Sequence, residues 1–175
     1  TITLTGTNDA PVAQAKTDTA TEGGAVISGS VVAIDVDTAA SSLTYSLTGE
    51  QPVPGLTFHA DGSYSFDPAD PAYDHLAAGE TVNVVASYKA NDGSLDSNVS
   101  TLTITLTGTN DAPVAQAKTD TATEGGAVIS GSVVAIDVDT AASSLTYSLT
   151  GEQPVPGLTF HADGSYSFDP ADPAY

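Results

Sequence analysis

The apolar residues of this chain fall at every second position over short stretches, and turns rich in Gly, Asp and Pro separate the stretches. Val82, Val84, Ala86, Tyr88 and Ala90 share one side of such a stretch, with Asn83, Val85, Ser87 and Lys89 on the other. Leu102, Ile104 and Leu106 alternate with Thr101, Thr103, Thr105 and Thr107 in the same way, and Leu43, Tyr45 and Leu47 with Thr44, Ser46 and Thr48. Successive side chains of a strand point to opposite sides, so a period of two marks a β-strand with one face in a core. Leu56 and Phe58, then Tyr64 and Phe66, bracket Asp61-Gly62, a hairpin turn signal. Two further stretches complete a set of seven predicted strands: A at 12–20, B at 25–34, C at 43–48, D at 56–59, E at 63–67, F at 81–90 and G at 97–107. Helix is confined to at most a single turn near 71–76. Seven short strands in about 100 residues predict an all-β fold, a Greek-key β-sandwich of immunoglobulin type. The chain has no Cys and no Trp. The core therefore rests on aliphatic residues together with Phe58, Tyr64, Phe66 and Tyr88.

The pattern then repeats. Residues 1–73 recur letter for letter as residues 103–175, so that position n returns at n + 102. A period of that size is a whole domain rather than a solenoid unit, and the chain reads as tandem sandwiches in a linear rod. Residues 1–7 match 103–109 and are expected to be the last strand of a preceding repeat. Residues 8–109 form one complete repeat. Residues 110–175 form a second copy without a counterpart of 74–107, hence without strands F and G.

Charge adds a chemical layer. There are 22 acidic residues against three basic ones, all lysine, for a net charge of −19. Such a surface repels nucleic acid and anionic membranes. Cysteine is absent, which excludes thiolate chemistry and disulfides. No run of apolar residues is long enough to insert in a membrane.

The acids are not scattered. In a sandwich whose strands run up and down, successive loops alternate between two poles. Asp35 and Asp37 (loop B–C), Asp61 (D–E), and Asp92 and Asp96 (F–G) fall at the N-terminal pole, where the incoming linker brings Asn8 and Asp9. Asp18 and Glu22 near A–B, Glu50 in C–D, and Asp67, Asp70 and Asp74 in E–F fall at the C-terminal pole. The next linker, with Asn110 and Asp111, leads to a second copy carrying Glu124, Asp137 and Asp139. Carboxylates crowded together repel unless a cation lies among them. A donor set made of hard oxygens, without a His or Cys cluster, selects Ca2+, which takes 6–8 oxygen ligands. The candidate metal ligands are therefore Asn8, Asp9, Asp18, Glu22, Asp35, Asp37, Asp61, Asp67, Asp70, Asp92, Asp96, Asn110, Asp111, Glu124, Asp137 and Asp139. Two placements are open. Calcium would sit at the junctions, bridging one repeat to the next through the linker 107–113, or inside single loops such as 91–96.

Catalysis is not expected. There is no GxSxG elbow and no HExxH, and paired carboxylates repeated in every copy at the poles do not resemble a glycosidase site. No small-molecule substrate is predicted; the expected partners are neighbouring repeats through calcium-bridged linkers. A rival reading takes the threonine rows (Thr1, Thr3 and Thr5; Thr101, Thr103, Thr105 and Thr107) as a glycan- or ice-binding face, although threonine also simply suits an exposed strand.

The stretches TITLTGTNDAPV (1–12), DVD (35–37), LTYSLTG (43–49), HADGSYSFDP (59–68) and AYDHLAAGET (72–81) resemble the VCBS-type repeats of very large bacterial repeats-in-toxin (RTX) adhesins, which include ice-binding and biofilm adhesins. The resemblance covers the whole chain. It implies immunoglobulin-like extender domains, rigidified by calcium, that hold a ligand-binding domain away from the bacterial cell surface for attachment or biofilm formation. An extracellular location follows from the same resemblance. Its calcium ligands carry over to Asn8, Asp9, Asp35 and Asp37 and to their copies Asn110, Asp111, Asp137 and Asp139. The arrangement is also similar to cadherins, whose linkers and DxD triplets bind calcium between domains. The glycine-rich GGxGxD nonapeptide of the repeats-in-toxin class is absent from this chain.

Overall fold

In the computed structural model, which describes residues 1–151 and 153–175, the alternating stretches become strands packed on a shared apolar core. The chain divides into two units, residues 1–110 and 111–175. In the first, β1 (Val12–Ala13), β2 (Lys16–Thr21), β3 (Ile27–Ser30), β4 (Ala33–Ile34), β5 (Thr44–Thr48), β6 (Leu56–Phe58), β7 (Ser63–Phe66), β8 (Thr81–Asn91) and β9 (Ser100–Thr107) form three sheets. Their orders are β2-β9-β8-β5, β3-β7-β6 and the ribbon β1-β4. The first and last long strands, β2 and β9, run parallel with Lys16 opposite Leu102 and Thr21 opposite Thr107, and the other pairings are antiparallel.

Predicted strands C to G appear with their ends shifted by at most three residues. Strands A and B each break in two, because the chain changes sheets within them. Residues 12–13 pair with β4, whereas 16–21 pair with β9. In B the break falls at Val31-Val32, where the Val31 amide donates to the Gly62 carbonyl and the Val32 carbonyl accepts from Gln14. The helical turn expected near 71–76 is instead a run of tight turns. The Asp67 and Asp70 carboxylates accept the amides of Ala69 and Ala72, a local alternative to helix that short acidic side chains offer. A 3-10 turn lies at Ala40–Ser42 instead.

The period-two faces bury as expected except at the start of β8, where Val82 is exposed. Leu102, Ile104 and Leu106 of β9 and Ala86, Tyr88 and Ala90 of β8 are buried, and they meet Tyr64 and Phe66 from the facing sheet. Tyr45 and Phe58 pack near the Tyr88 ring, with centroids at 6.4 and 6.1 Å. The Tyr88 hydroxyl donates to the Gln14 carbonyl, which fixes the crossing between β1 and β2. Tyr73 and Leu76, in the β7–β8 connection, are also buried. Tyr73 sits 5.7 Å from the Phe66 ring and donates to the Pro54 carbonyl at 2.9 Å. Of the threonine rows, Thr103, Thr105 and Thr107 lie in the large sheet opposite Thr17, Thr19 and Thr21, whereas Thr1, Thr3 and Thr5 are in no strand.

The second unit contains β10 (Val114–Ala115), β11 (Ile129–Ser132), β12 (Ala135–Ile136), β13 (Leu158–Phe160) and β14 (Ser165–Phe168), with sheets β11-β14-β13 and β10-β12. The register repeats that of the first unit. Residues 118–123 and 146–150 have the letters of β2 and β5 yet are not strands among the described residues. The partners of β2 and β5 are β9 and β8, and 111–175 has no counterpart of either. The face those strands cover in the first unit is here a groove of about 450 Å³ lined by Val133, Leu149, Phe160, Tyr166 and Phe168.

Candidate metal centre

At the N-terminal pole of the first unit, three chain segments converge. Beyond β4, the Asp35 Oδ1 accepts the amides of Asp37 (3.0 Å) and Thr38 (2.9 Å), which folds the DVD triplet into a tight turn. In the β8–β9 connection, Asp92 Oδ1 accepts the amides of Ser94 (2.6 Å) and Leu95 (2.7 Å). The incoming linker docks on both. The Asp9 amide donates to Asp37 Oδ2 at 3.1 Å, and Asn8 Nδ2 donates to Asp92 Oδ2 at 2.7 Å. The second Asp35 oxygen, Oδ2, is buried and has no hydrogen-bond partner. A carboxylate oxygen removed from water with no donor is costly, and a cation is its natural complement.

The electrostatics favour the ionised form of Asp35 and of Asp92. The Asp37 backbone N–H, above all, holds the Asp35 carboxyl below the ordinary carboxylate range, against partial desolvation and the negative charge of Asp92. Asp92 is held low by the Leu95 N–H and then by Asn8. The second unit repeats the DVD turn and the linker's contact with it. Asp137 Oδ1 accepts the amides of Asp139 (3.1 Å) and Thr140 (2.8 Å), and the Asp111 amide donates to Asp139 Oδ2 at 3.2 Å.

The C-terminal pole of the first unit is built differently. Glu22 is the buried charged residue of the chain's described portion, 5% exposed. Its Oε2 accepts the Thr109 amide at 2.8 Å, so it grips the start of the outgoing linker. Gly108 is pinned beside it: its amide donates to Glu80 O (2.8 Å), its carbonyl accepts from Gly79 (3.0 Å), and a Cβ there would lie 2.5 Å from the Ala77 carbonyl oxygen. Only glycine fits this approach. Glu124, the copy of Glu22, is exposed. Asp67 and Asp70 cap turns, and Asp70 Oδ2 also accepts the Gly55 amide at 3.0 Å, which ties two loops of this pole together.

Three further candidates already have hydrogen-bond partners. Asp18 lies inside β2, and its Oδ2 accepts the Tyr64 hydroxyl at 2.8 Å. Asp61 accepts the Ser63 amide (2.9 Å) and hydroxyl (2.6 Å) in the β6–β7 hairpin. Asp96 pairs with Lys89 Nζ at 2.5 Å and Asn91 Nδ2 at 2.7 Å. Among the described residues, no three Asp, Glu or His side chains come together in a group that could hold a metal ion. The N-terminal pole nevertheless fits calcium in its chemistry: hard oxygen donors, ionised, one of them buried and unpartnered. Asn98 had no signal in the sequence pattern. Its amide brackets β1, accepting from Ala13 N at 2.9 Å and donating to Ala13 O at 3.2 Å, which holds the linker side of the pole in place.

A pH dependence follows. Asp35, Asp61, Asp92 and Asp96 all have folded-state pKa values below the reference 3.8. A depressed carboxylate contributes stability that is present above its unfolded pKa and lost as pH falls through the folded one. The melting temperature, followed by circular dichroism, should therefore stay level down to about pH 4 and fall below it. A melting temperature that rises on acidification below pH 4 would contradict this assignment.

Comparison with known proteins places the chain among repeat modules. Residues 8–108 match the family described as the bacterial cadherin-like domain, and residues 110–174 match the bacterial Ig domain. Among solved structures, human protocadherin-24 EC1-2 (form II) is similar with a TM-score of 0.56 and 22% identity, over 92% of this chain and 78% of that one. Mouse cadherin-23 EC22-24 is similar with a TM-score of 0.52 and 20% identity, over 93% of this chain and 54% of that one. At these identities the likeness is one of fold. No curated protein sequence matches the chain.

Proposed function

Because this chain belongs to the family of bacterial cadherin-like domains, we propose that it is a calcium-stabilised extender of a bacterial cell-surface adhesin. Its work is to space and project a distal ligand-binding domain outside the cell, for attachment or biofilm formation. The observation that carries this reading is the buried, unpartnered Oδ2 of Asp35 beside the docked linker. In the first unit Asp35, Asp37 and Asp92, with Asn8 and Asp9 from the linker, hold the ion. In the second, Asp137 and Asp139 do so with Asp111. Calcium supplies positive charge between carboxylates that otherwise repel, and it fastens the linker to the loops that the linker already touches.

Asn110, Glu22, Asp67 and Asp70 belong to the same scheme, in which calcium-bridged linkers join neighbouring repeats. The clamp of Glu22 on Thr109 supports it, because the outgoing linker is gripped before it leaves the first unit. Residues 1–7 fit the last strand of a preceding repeat. Ile2 and Leu4 are exposed, whereas Ile104 and Leu106 in the identical stretch are buried.

Small-angle X-ray scattering tests the reading. The maximum dimension of the 175-residue chain should increase from chelator to millimolar calcium, and the Asp35→Asn, Asp137→Asn double variant should not respond. A scattering curve indifferent to calcium would sink the extender mechanism.

A further inference from the structure

Residues 1–7 and 103–109 are the same letters, TITLTGT. At 103–107 they belong to β9, where Ile104 and Leu106 are 1 and 0% exposed, in one core with Ile27, Tyr64 and Phe66. At 1–7 they are in no strand, and Ile2 and Leu4 are 96 and 93% exposed. The second unit has the matching deficit. Residues 118–123 carry the letters of β2 but are not a strand, and beside them lies the open groove of about 450 Å³, lined by Ala122, Ile129, Tyr166 and Phe168. Ile129, Tyr166 and Phe168 are the counterparts of Ile27, Tyr64 and Phe66, the residues that share a core with Ile104 and Leu106.

We propose that this groove receives residues 1–7 of a second copy of this chain, as a parallel strand against 118–123. The first unit selects the occupant, because there the same letters already seat on the same letters. β2 pairs with β9 so that Thr17 lies opposite Thr103, Asp18 opposite Ile104 and Ala20 opposite Leu106. Carried over, that register puts Thr1 opposite Thr119, Ile2 opposite Asp120 and Leu4 opposite Ala122. The end of the strand agrees. Glu22 is buried, its amide donating to the Thr107 carbonyl and its Oε2 accepting the Thr109 amide. Glu124 is exposed, and the same register brings it Thr5 and Thr7. A strand added to an unpaired edge gains main-chain bonds and sets its alternate side chains into pockets. Net charge does not oppose the contact at close range. Residues 1–7 have no charged side chain, and Lys118 and Asp120 at the groove pair with each other at 3.6 Å. Segment and groove are different surfaces, so the contact is heterologous, and association runs on to longer species unless it closes into a ring. One contact joins each pair of chains, so no fixed placement of the two units is required. The segment keeps its character as the last strand of a repeat; here the repeat it completes belongs to another molecule.

The test is sedimentation velocity on the 175-residue chain across a concentration series, in chelator and about 1 M NaCl, where a Debye length of about 3 Å screens repulsion between chains. The parent should form dimers and larger species. The Ile2→Asn, Leu4→Asn variant spoils the segment, and Ala122→Asp puts a charge opposite Leu4; each should weaken association by at least about tenfold. All three side chains are exposed, so an unchanged circular-dichroism melt verifies that the variants fold. The two variants mixed together should then pair one to one, because the first keeps its groove and the second its segment. A parent that stays monomeric at every concentration overturns the proposal. So does a segment variant that associates like the parent, or a mixture that stays monomeric. Since chelator is present throughout, association together with a calcium-insensitive scattering curve would retain this contact while the extender reading failed.

Discussion

On the proposed reading, calcium should raise the melting temperature of this chain by more than about 10 °C over its value in chelator. A ligand that binds only the folded state stabilises it by mass action, about 2.7 kcal/mol per site at a free concentration a hundredfold above Kd. For a domain of roughly 60–100 residues, each kcal/mol moves the midpoint by about 4–8 °C. Extracellular calcium modules bind in the range of about 10⁻⁴–10⁻³ M, so millimolar calcium reaches part of the effect and tens of millimolar most of it. The Asp35→Asn substitution isolates the cause. Asparagine keeps an Oδ1 to accept the amides of Asp37 and Thr38, so the turn survives. The unpartnered Oδ2 becomes an NH2 and the charge disappears. With Asp137→Asn in the second unit, the variant should melt near the parent in chelator and gain little from calcium. Magnesium, which demands near-ideal octahedral geometry and gives up water reluctantly, should shift the parent much less. A parent whose melt ignores calcium, or a double variant that keeps the full increment, would remove calcium from the fold.

The strands were legible because alternation with period two is a direct record of which face is buried. Leu102, Ile104 and Leu106 declare β9 without any knowledge of its neighbours. The breaks in A and B leave no such record. Val31, Val32, Ala33 and Ile34 are four apolar residues in a row, with no alternation to mark where the chain leaves one sheet, and the partner decides the change. The burial of Tyr73 and Leu76 was equally hidden, since an irregular connection has no period to read. The two copies make the point by experiment of nature: KTDTAT is strand β2 at 16–21 beside β9, and the same letters at 118–123, with no such neighbour, are not a strand. The candidate site was legible to the level of the pole. Counting loops puts Asn8, Asp9, Asp35, Asp37, Asp61, Asp92 and Asp96 at one pole; there the linker touches Asp37 and Asp92, whereas Asp61 is held by Ser63 and Asp96 by Lys89 and Asn91. Which oxygens are already committed was only partly readable. Asp61 two residues before Ser63 is a local turn signal that could have been recognised. The partnership of Asp18 with Tyr64 spans the sandwich, and nothing near Asp18 in the sequence announces it.

The same contrast between copies predicts the second large effect. Phe66→Ala should destabilise residues 1–110 by about 3–5 kcal/mol, the usual range for a buried Phe replaced by Ala. Phe66 is 0% exposed. Its ring meets Tyr73 on one side, and a Cβ on Gly55 would lie 3.2 Å from it on another. Truncation therefore removes a large apolar transfer contribution and leaves a cavity that close-packed neighbours cannot fill. Phe168→Ala is the identical substitution in an identical local sequence. Phe168 keeps its ring partner, with Tyr175 at 5.5 Å, but it is only half-buried and lines the open groove. Water already reaches that space, so less apolar area returns to solvent and no closed cavity forms; the cost should be below about half that of Phe66→Ala. Hydrogen exchange read by mass spectrometry separates the two units, because peptides from 100–107 report on the first and peptides from 129–136 on the second. Equal costs would mean that the second unit encloses Phe168 as tightly as β8 and β9 enclose Phe66, with something other than its own residues covering the groove. A Phe66→Ala variant that exchanges like the parent would contradict the core itself.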